Sequence, residues 1–161
     1  IYKIMEESFP INEIRPYEEQ KALFKCENYS VYAYVKENEI IGFFGVWSFL
    51  DFEFIEHFAV KEKYRNGGIG TKLLRELLNI LNKRVVLEVE LPTTEIAKSR
   101  IKFYQRSGFV LNEYDYFQPP ISKKRDKISL MLMTYPNKIG LDEYKRIRSI
   151  LYQEVYHYDG E

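Results

Sequence analysis

The chain has 161 residues, a length that suits one domain with a sizeable buried core. Lysine plus arginine and aspartate plus glutamate stand at 24 each, so no overall field draws the protein to nucleic acid or to an anionic membrane surface. A single cysteine, Cys26, and two widely separated histidines, His57 and His157, supply neither a disulfide framework nor a metal-ligand cluster; no metal is expected, and the cytoplasm is the natural compartment.

No apolar run approaches the roughly 18 residues that a membrane helix needs, and no secretory signal is visible. The first residue is Ile1 rather than methionine, which suggests that a few N-terminal residues are missing. In chain order, Tyr2 to Phe9 and Pro16 to Cys26 read as two short helices parted at Pro10, the second opened by Pro16 with Glu18 and Glu19 early. Ser30 to Lys36 alternates Val31, Ala33 and Val35 against Tyr32 and Tyr34, and Glu37-Asn38-Glu39 turns the chain into a second strand, Ile40 to Phe49. Asp51 marks the next turn. Phe54 to Val60 is a third strand, in which alternation places Glu56 with Phe54, Phe58 and Val60, and His57 on the other face with Ile55 and Ala59.

Leu73, Leu74, Leu77, Leu78 and Leu81 stripe a helix from Gly70 to Asn82, and Val85 to Leu91 follows as a strand, so strand, helix and strand form a parallel crossover. Glu95 to Ser107 is a helix closed by Gly108, and Phe109 to Gln118 and Lys127 to Thr134 are two further strands. Between them, Pro119 to Asp126 carries Lys123, Lys124 and Arg125 and reads as a solvated hairpin loop rather than a nucleic-acid site. Leu141 to Tyr156 sets Leu141, Tyr144, Ile147, Leu151 and Val155 on one side of a terminal amphipathic helix, which can pack on the core or on the partner in a homodimer. The 14 tyrosines fall largely in the strand segments and read as sheet packing.

Chemistry concentrates where the third strand runs through Arg65-Asn66-Gly67-Gly68-Ile69-Gly70-Thr71 into the leucine-striped helix. Glycine lets the backbone approach a ligand closely, and the free N–H groups and dipole at a helix N-terminus favour an anion, so this turn reads as a phosphate cradle. Arg65 can add a charge-assisted contact. The alternative is a glycine-bearing turn that only caps the helix. Neither P-loop spacing nor dinucleotide-fold spacing is present.

Arg65-x-x-Gly68-x-Gly70 resembles the acyl-CoA motif of the GNAT family, the Gcn5-related N-acetyltransferases, and Phe103-Tyr104 followed by Gly108-Phe109 resembles that family's second signature. The resemblance spans residues 1–136, with residues 137–161 as a C-terminal helical extension. It implies an α/β fold with a mixed, splayed sheet, antiparallel first and opening where the Phe54 to Val60 and Val85 to Leu91 strands part, with acetyl-CoA in the V. By the same resemblance, backbone groups of Phe58, Ala59 and Val60 would bind the thioester and pantetheine, and those of Asn66, Gly67, Gly68, Ile69, Gly70 and Thr71 the pyrophosphate. The family's first strand is missing, Ala97 stands where relatives often carry an asparagine, and Pro92 to Glu95 looks like an insertion.

Acetyl transfer needs a neutral amine, a polarised carbonyl and a proton for the departing thiolate. Glu56 is the first candidate base, because apolar neighbours raise a carboxylate's proton affinity; the alternative is an ion-paired or solvated carboxylate. Glu88, at a position where some relatives use a glutamate, is the second candidate, with an Arg or Lys partner as its alternative. Tyr104 would be the general acid, as the motif implies. His57 reads as a packed, hydrogen-bonded histidine and Cys26 as a small buried hydrophobe. The expected function is N-acetylation of a small-molecule or peptide amine, with Glu6, Glu7, Glu18 and Glu19 suited to a cationic acceptor. The competing readings are an acyl-CoA-binding sensor with little catalysis and an enzyme acting on aminoacyl-tRNA, the last disfavoured by zero net charge.

Overall fold

In the computed structural model, which describes residues 1–160, the chain opens with α1 (Tyr2–Ser8), a 3₁₀ turn (Ile11–Glu13) and α2 (Tyr17–Ala22), which tightens into a second 3₁₀ turn, Leu23–Lys25. Three antiparallel strands follow: β1 (Tyr29–Lys36), β2 (Glu39–Ser48) and β3 (Phe52–Val60). A 3₁₀ turn, Glu62–Tyr64, and the glycine loop lead into α3 (Ile69–Ile80), then β4 (Arg84–Glu90), α4 (Glu95–Arg106), β5 (Val110–Gln118), β6 (Ile128–Tyr135) and α5 (Leu141–Ile150). The strands form one sheet in the order β1-β2-β3-β4-β6-β5. Only β3 and β4 run parallel, which makes the sheet mixed, as expected.

Local chemistry accounts for most element ends. Lys36 pairs with Glu39 across a two-residue hairpin whose Glu37 and Asn38 have φ of 51° and 65°, the left-handed pair that matches strand twist. Helix α4 begins at Thr94, whose hydroxyl accepts from Ala97 N at 3.1 Å, a cap that contributes about 1 kcal/mol. The inferred insertion Pro92 to Glu95 therefore contains this cap. The terminal helix is α-helical only to Ile150; Leu151–Val155 widens into a π turn closed by Tyr156 N to Leu151 O at 3.1 Å.

Each face of the sheet is covered. On one, Leu73, Leu74 and Leu77 of α3 and Ile101 of α4 pack with Phe44, Ile55, Leu87 and Met133. On the other, Tyr144, Ile147, Leu151, Val155 and Tyr156 of the C-terminal segment pack with Phe52, Phe54, Val86 and Leu132. Helix α1 adds Ile4 and Met5 beside Phe43 and Ala59. The C-terminal segment is thus seated on its own sheet, where Tyr144 and Tyr152 donate their hydroxyls to the carbonyls of Asp115 and Phe117, both at 2.6 Å.

Strict alternation fails in β3, and this corrects the expected faces. Gly45 pairs with His57 and Val46 with Ile55, so Glu56 is a bulged residue without a partner on β2. The extra residue shifts the pleat. Ile55, Phe58 and Val60 face α3, whereas Phe54, His57 and Ala59 lie on the opposite side, with Glu56 bonded to Trp47 there. Glu56 therefore shares a side with His57 rather than with Phe58 and Val60. No helix among the described residues is long and apolar enough to cross a membrane.

Candidate active site

Strands β3 and β4 pair only over four residues, from Phe52 opposite Arg84 to Ile55 opposite Leu87. Beyond that point they part, and the backbone of β3 loses its strand partner on the β4 side. The resulting cleft has a volume of about 310 Å³ and is walled by Glu56–Val60 of β3, Glu88–Glu90 of β4, Phe103 and Tyr104 of α4, and Glu13. Glu56, Phe58, Ala59, Val60, Arg65, Glu88 and Tyr104, all singled out from the sequence, meet here.

Arg65 marks the junction with the glycine loop. Its Nε donates to Val60 O at 2.8 Å and its Nη2 to Ser8 Oγ at 3.2 Å, so the loop is tied to the free end of β3 and to α1. Asn66 (φ 68°) and Gly68 (φ 75°) both take the left-handed conformation that turns the backbone into α3. A side chain grafted at Gly67 or Gly68 would meet nothing within 4 Å, which leaves an open surface before a twelve-residue helix. Ile69, Gly70 and Thr71 form the first turn, where N–H groups lack helical acceptors. That loop fits a pyrophosphate. A Cβ at Gly70 would lie 3.5 Å from the Phe103 ring, so the two sequence signatures touch.

Glu56 and Glu88 differ sharply in electrostatics. Arg15 donates through Nη1 to Glu56 Oε1 at 3.0 Å, its Nη2 stands 2.9 Å from Oε2, and Trp47 Nε1 donates to Oε1 at 2.9 Å. Burial would raise this carboxyl, but the Arg15 guanidinium and the donated hydrogen bonds carry it below the usual carboxylate range. Glu56 is thus a fixed anion, against the expectation that apolar neighbours would raise its proton affinity. The reason is long-range: Arg15, itself only 4% exposed, arrives from a segment far away in sequence.

Among the described residues no cation pairs with Glu88. Its oxygens accept instead from two phenols, Oε2 from Tyr116 and Oε1 from Tyr156 at 2.7 Å. Burial is the largest influence, and with the charges of Glu56 and Glu13 it outweighs the two hydrogen bonds, so the carboxyl is raised to about 8. A buried carboxyl that titrates near neutrality suits proton transfer.

Tyr104 lies across the cleft, its ring edge-on to Phe103 and Phe109 at centroid distances of 5.2 and 5.6 Å. Burial raises its phenol to about 12, with Arg100 pulling the other way, so the proton is held until a strong base appears. His57 donates from Nε2 to Glu13 O at 2.7 Å, and burial pushes its imidazole below the usual value. It is a packed, hydrogen-bonded histidine, but on the same side of β3 as Glu56 instead of the opposite one.

Sequence reasoning missed Glu13 and Arg15. Both lie around a short 3₁₀ turn with no periodicity to flag them, held by Gln118 Nε2 to Asn12 O at 3.1 Å and Arg125 Nε to Ile14 O at 2.9 Å. Arg125, expected in a merely solvated loop, therefore helps to seat the cleft wall. Burial, then the charge of Glu90, raises Glu13 to about 7, while Arg100 opposes the rise. The acidic residues expected at the acceptor side, Glu6, Glu7, Glu18 and Glu19, are exposed and line no part of the cleft; Glu13, Glu88 and Glu90 do. Among the described residues no cluster of three His, Cys, Asp or Glu side chains can hold a metal ion.

The family model for the acetyltransferase (GNAT) family matches residues 1–109. The chain is similar to a putative GNAT-family acetyltransferase from Bacteroides thetaiotaomicron, with 38% identity and a TM-score of 0.92 over 98% of this chain and 90% of that chain. It shares the fold of a GNAT family acetyltransferase from Elizabethkingia anophelis with acetyl-CoA bound, at 21% identity and a TM-score of 0.52 over 78% of this chain and 93% of that one. It also shares the fold of the ribosomal-protein-S18-alanine N-acetyltransferase from Escherichia coli, at 21% identity and a TM-score of 0.59 over 84% and 83% of the two chains. No curated protein sequence matches it.

Proposed function

Because the chain belongs to the acetyltransferase (GNAT) family, we propose that it moves the acetyl group of acetyl-CoA directly onto a primary amine of a small molecule or peptide, with Glu88 as general base and Tyr104 as general acid. The observation that carries this reading is the pair of groups facing one splayed cleft: a cation-free carboxyl raised to about 8 and a phenol raised to about 12. A carboxyl that gives up its proton near pH 8 and a phenol that keeps its own to about 12 supply a proton acceptor and a proton donor at one pH.

The amine nitrogen attacks the thioester carbon, a C–N bond forms, and the nitrogen's extra proton passes to the Glu88 carboxylate. The C–S bond then breaks, and the thiolate takes the Tyr104 proton. Transfer of a proton from Glu88 to the Tyr104 phenolate through water restores both groups. Glu56, locked to Arg15, holds the bulge that aims β3 along the cleft instead of taking a proton. The cleft carboxyls Glu13 and Glu88 favour an acceptor that brings a positive charge.

Turnover of acetyl-CoA with a panel of primary amines, followed as thiol release, tests the reading. At least one amine is expected to support release, and Tyr104→Phe to lower kcat by about 10²-fold with the acetyl-CoA KM little changed. Binding of acetyl-CoA with no release for any amine would make the protein a binding module instead.

Gly68→Val tests the cradle separately. A β-branched residue in the left-handed region costs about 1–2 kcal/mol, and relief requires the loop to turn its N–H groups away. Calorimetry is expected to show acetyl-CoA binding weakened about tenfold. Unchanged affinity would remove the pyrophosphate from this loop.

A further inference from the structure

The segment after residue 109 lies beyond the family match, yet its π turn reaches Glu88, a carboxylate that lines the cleft. Tyr156 donates its hydroxyl to Glu88 Oε1 at 2.7 Å, and one residue earlier the carbonyl of Val155 accepts from Arg15 Nη2 at 3.5 Å, the arginine that holds Glu56. One turn of chain therefore touches Glu88 itself and the arginine partner of Glu56.

The π turn explains how Tyr156 arrives there. Its N–H bonds to Leu151 O rather than to the carbonyl of Tyr152, which remains free to accept from Tyr158 N at 2.8 Å. Regular α-helix continued through Val155 would rotate Tyr156 by about 100° per residue of slippage and turn its ring off Glu88. The turn is anchored on the sheet by Leu151 and Val155 in the core and by the Tyr152 hydroxyl on Phe117 O.

We propose that Tyr156 is a positioning residue of the acetyl-transfer site: with Tyr116 on the other oxygen, it fixes the Glu88 carboxylate in orientation and lowers its proton affinity, so that the C-terminal turn is part of the catalytic apparatus. The proposal rests on the reading of Glu88 as general base. Each phenol donates to one oxygen, an arrangement that stabilises the carboxylate and leaves the remaining lone pairs for the amine proton. The charged and titratable groups facing Glu88 include Tyr116 from β5, Tyr156 and the more remote Tyr152 from the C-terminal segment, Glu56 from β3 and Glu13 from the 3₁₀ turn. Both carboxyls oppose ionisation of Glu88, and the two phenols favour it.

Tyr156→Phe removes one hydroxyl and keeps the ring in the core. A hydrogen bond to a charged acceptor accounts for about one to two pH units of proton affinity, so the acidic limb of kcat/KM is expected to move up by that amount. At pH 7 the decline should fall mainly on kcat, with acetyl-CoA KM little changed. Tyr152→Phe, which deletes a hydroxyl of the same segment that bonds Phe117 O rather than Glu88, is expected to leave the profile in place. Infrared titration of the apo protein, with the Glu88 carboxyl band assigned by its loss in Glu88→Gln, should show the same upward move in Tyr156→Phe.

A Tyr156→Phe profile and carboxyl titration that overlay the wild type would overturn the proposal, as would an equal shift in Tyr152→Phe. Full activity in Glu88→Gln would instead overturn Glu88 as base and with it the catalytic part of this proposal. The infrared titration would then still decide whether the phenol tunes the carboxyl.

Discussion

In Glu88→Gln, acetyl transfer is expected to fall by about 10²- to 10⁴-fold in kcat/KM, the range lost with a positioned general base, while acetyl-CoA binding stays close to wild type. Glutamine keeps the shape of the side chain and can still accept from one of the two phenols, but it cannot take a proton at neutral pH. The acidic limb that Glu88 imposes on the wild-type profile, with its midpoint near pH 8, should vanish with the activity. Initial rates from pH 6 to 10 check both expectations, and a residual activity with an unchanged limb would assign the base elsewhere.

The same substitution should act on stability in the opposite direction. The folded protein raises the Glu88 carboxyl from an ordinary value near 4.5 to about 8, which favours the protonated form. A raised carboxyl contributes stability that is complete below about pH 4.5 and is lost as the pH climbs through about 8. Glutamine mimics the protonated state at every pH. Thermal melts at pH 9 should therefore place the variant above the wild type, and melts near pH 4 should bring the two together. A variant that loses turnover and gains alkaline stability cannot be explained as misfolded.

The second large effect belongs to Arg15. Arg15→Met removes the guanidinium paired with Glu56 and leaves a buried carboxylate that still accepts from Trp47, a loss of about 3–5 kcal/mol at pH 7. Chemical denaturation should register this as a lower midpoint. The pH dependence gives the cause. In the wild type Glu56 lies below its ordinary value, so its contribution is present above about pH 4.5 and is lost as the solution falls through the still lower folded value. Without Arg15, burial dominates and the sign reverses, so the variant's deficit should shrink on acidification. Arg15→Met combined with Glu56→Gln should recover most of the stability, because no uncompensated charge then remains. Failure of the double variant to recover would mean that Arg15 acts through Val155 O or through packing instead.

These two residues mark the limit of what the sequence made legible. Glu88 and Glu56 were both visible as carboxylates on strands that should part, but ranking them required their partners. Arg15 lies 41 residues from Glu56, and Tyr116 and Tyr156 lie 28 and 68 residues from Glu88. Proton affinity follows charges and donors within a few ångströms, and no local pattern encodes that proximity. The bulge at Glu56 was hidden for a related reason: Phe54 to Val60 alternates well enough as a plain strand, and the extra residue appears only when β3 is laid against β2.

The sequence by itself determined most of the elements, their order, the glycine loop from Arg65 to Thr71 and the Phe103-Tyr104 signature. Those features rest on periodicity and turn chemistry, which act over a few neighbouring residues. Tertiary structure alone decided that Glu56 is a bound anion while Glu88 titrates near neutrality, and that Glu13, rather than the exposed acids of the first helices, lines the cleft. It also decided that the C-terminal turn delivers Tyr156 to the site, because burial and through-space pairing depend on contacts that the fold creates between distant segments.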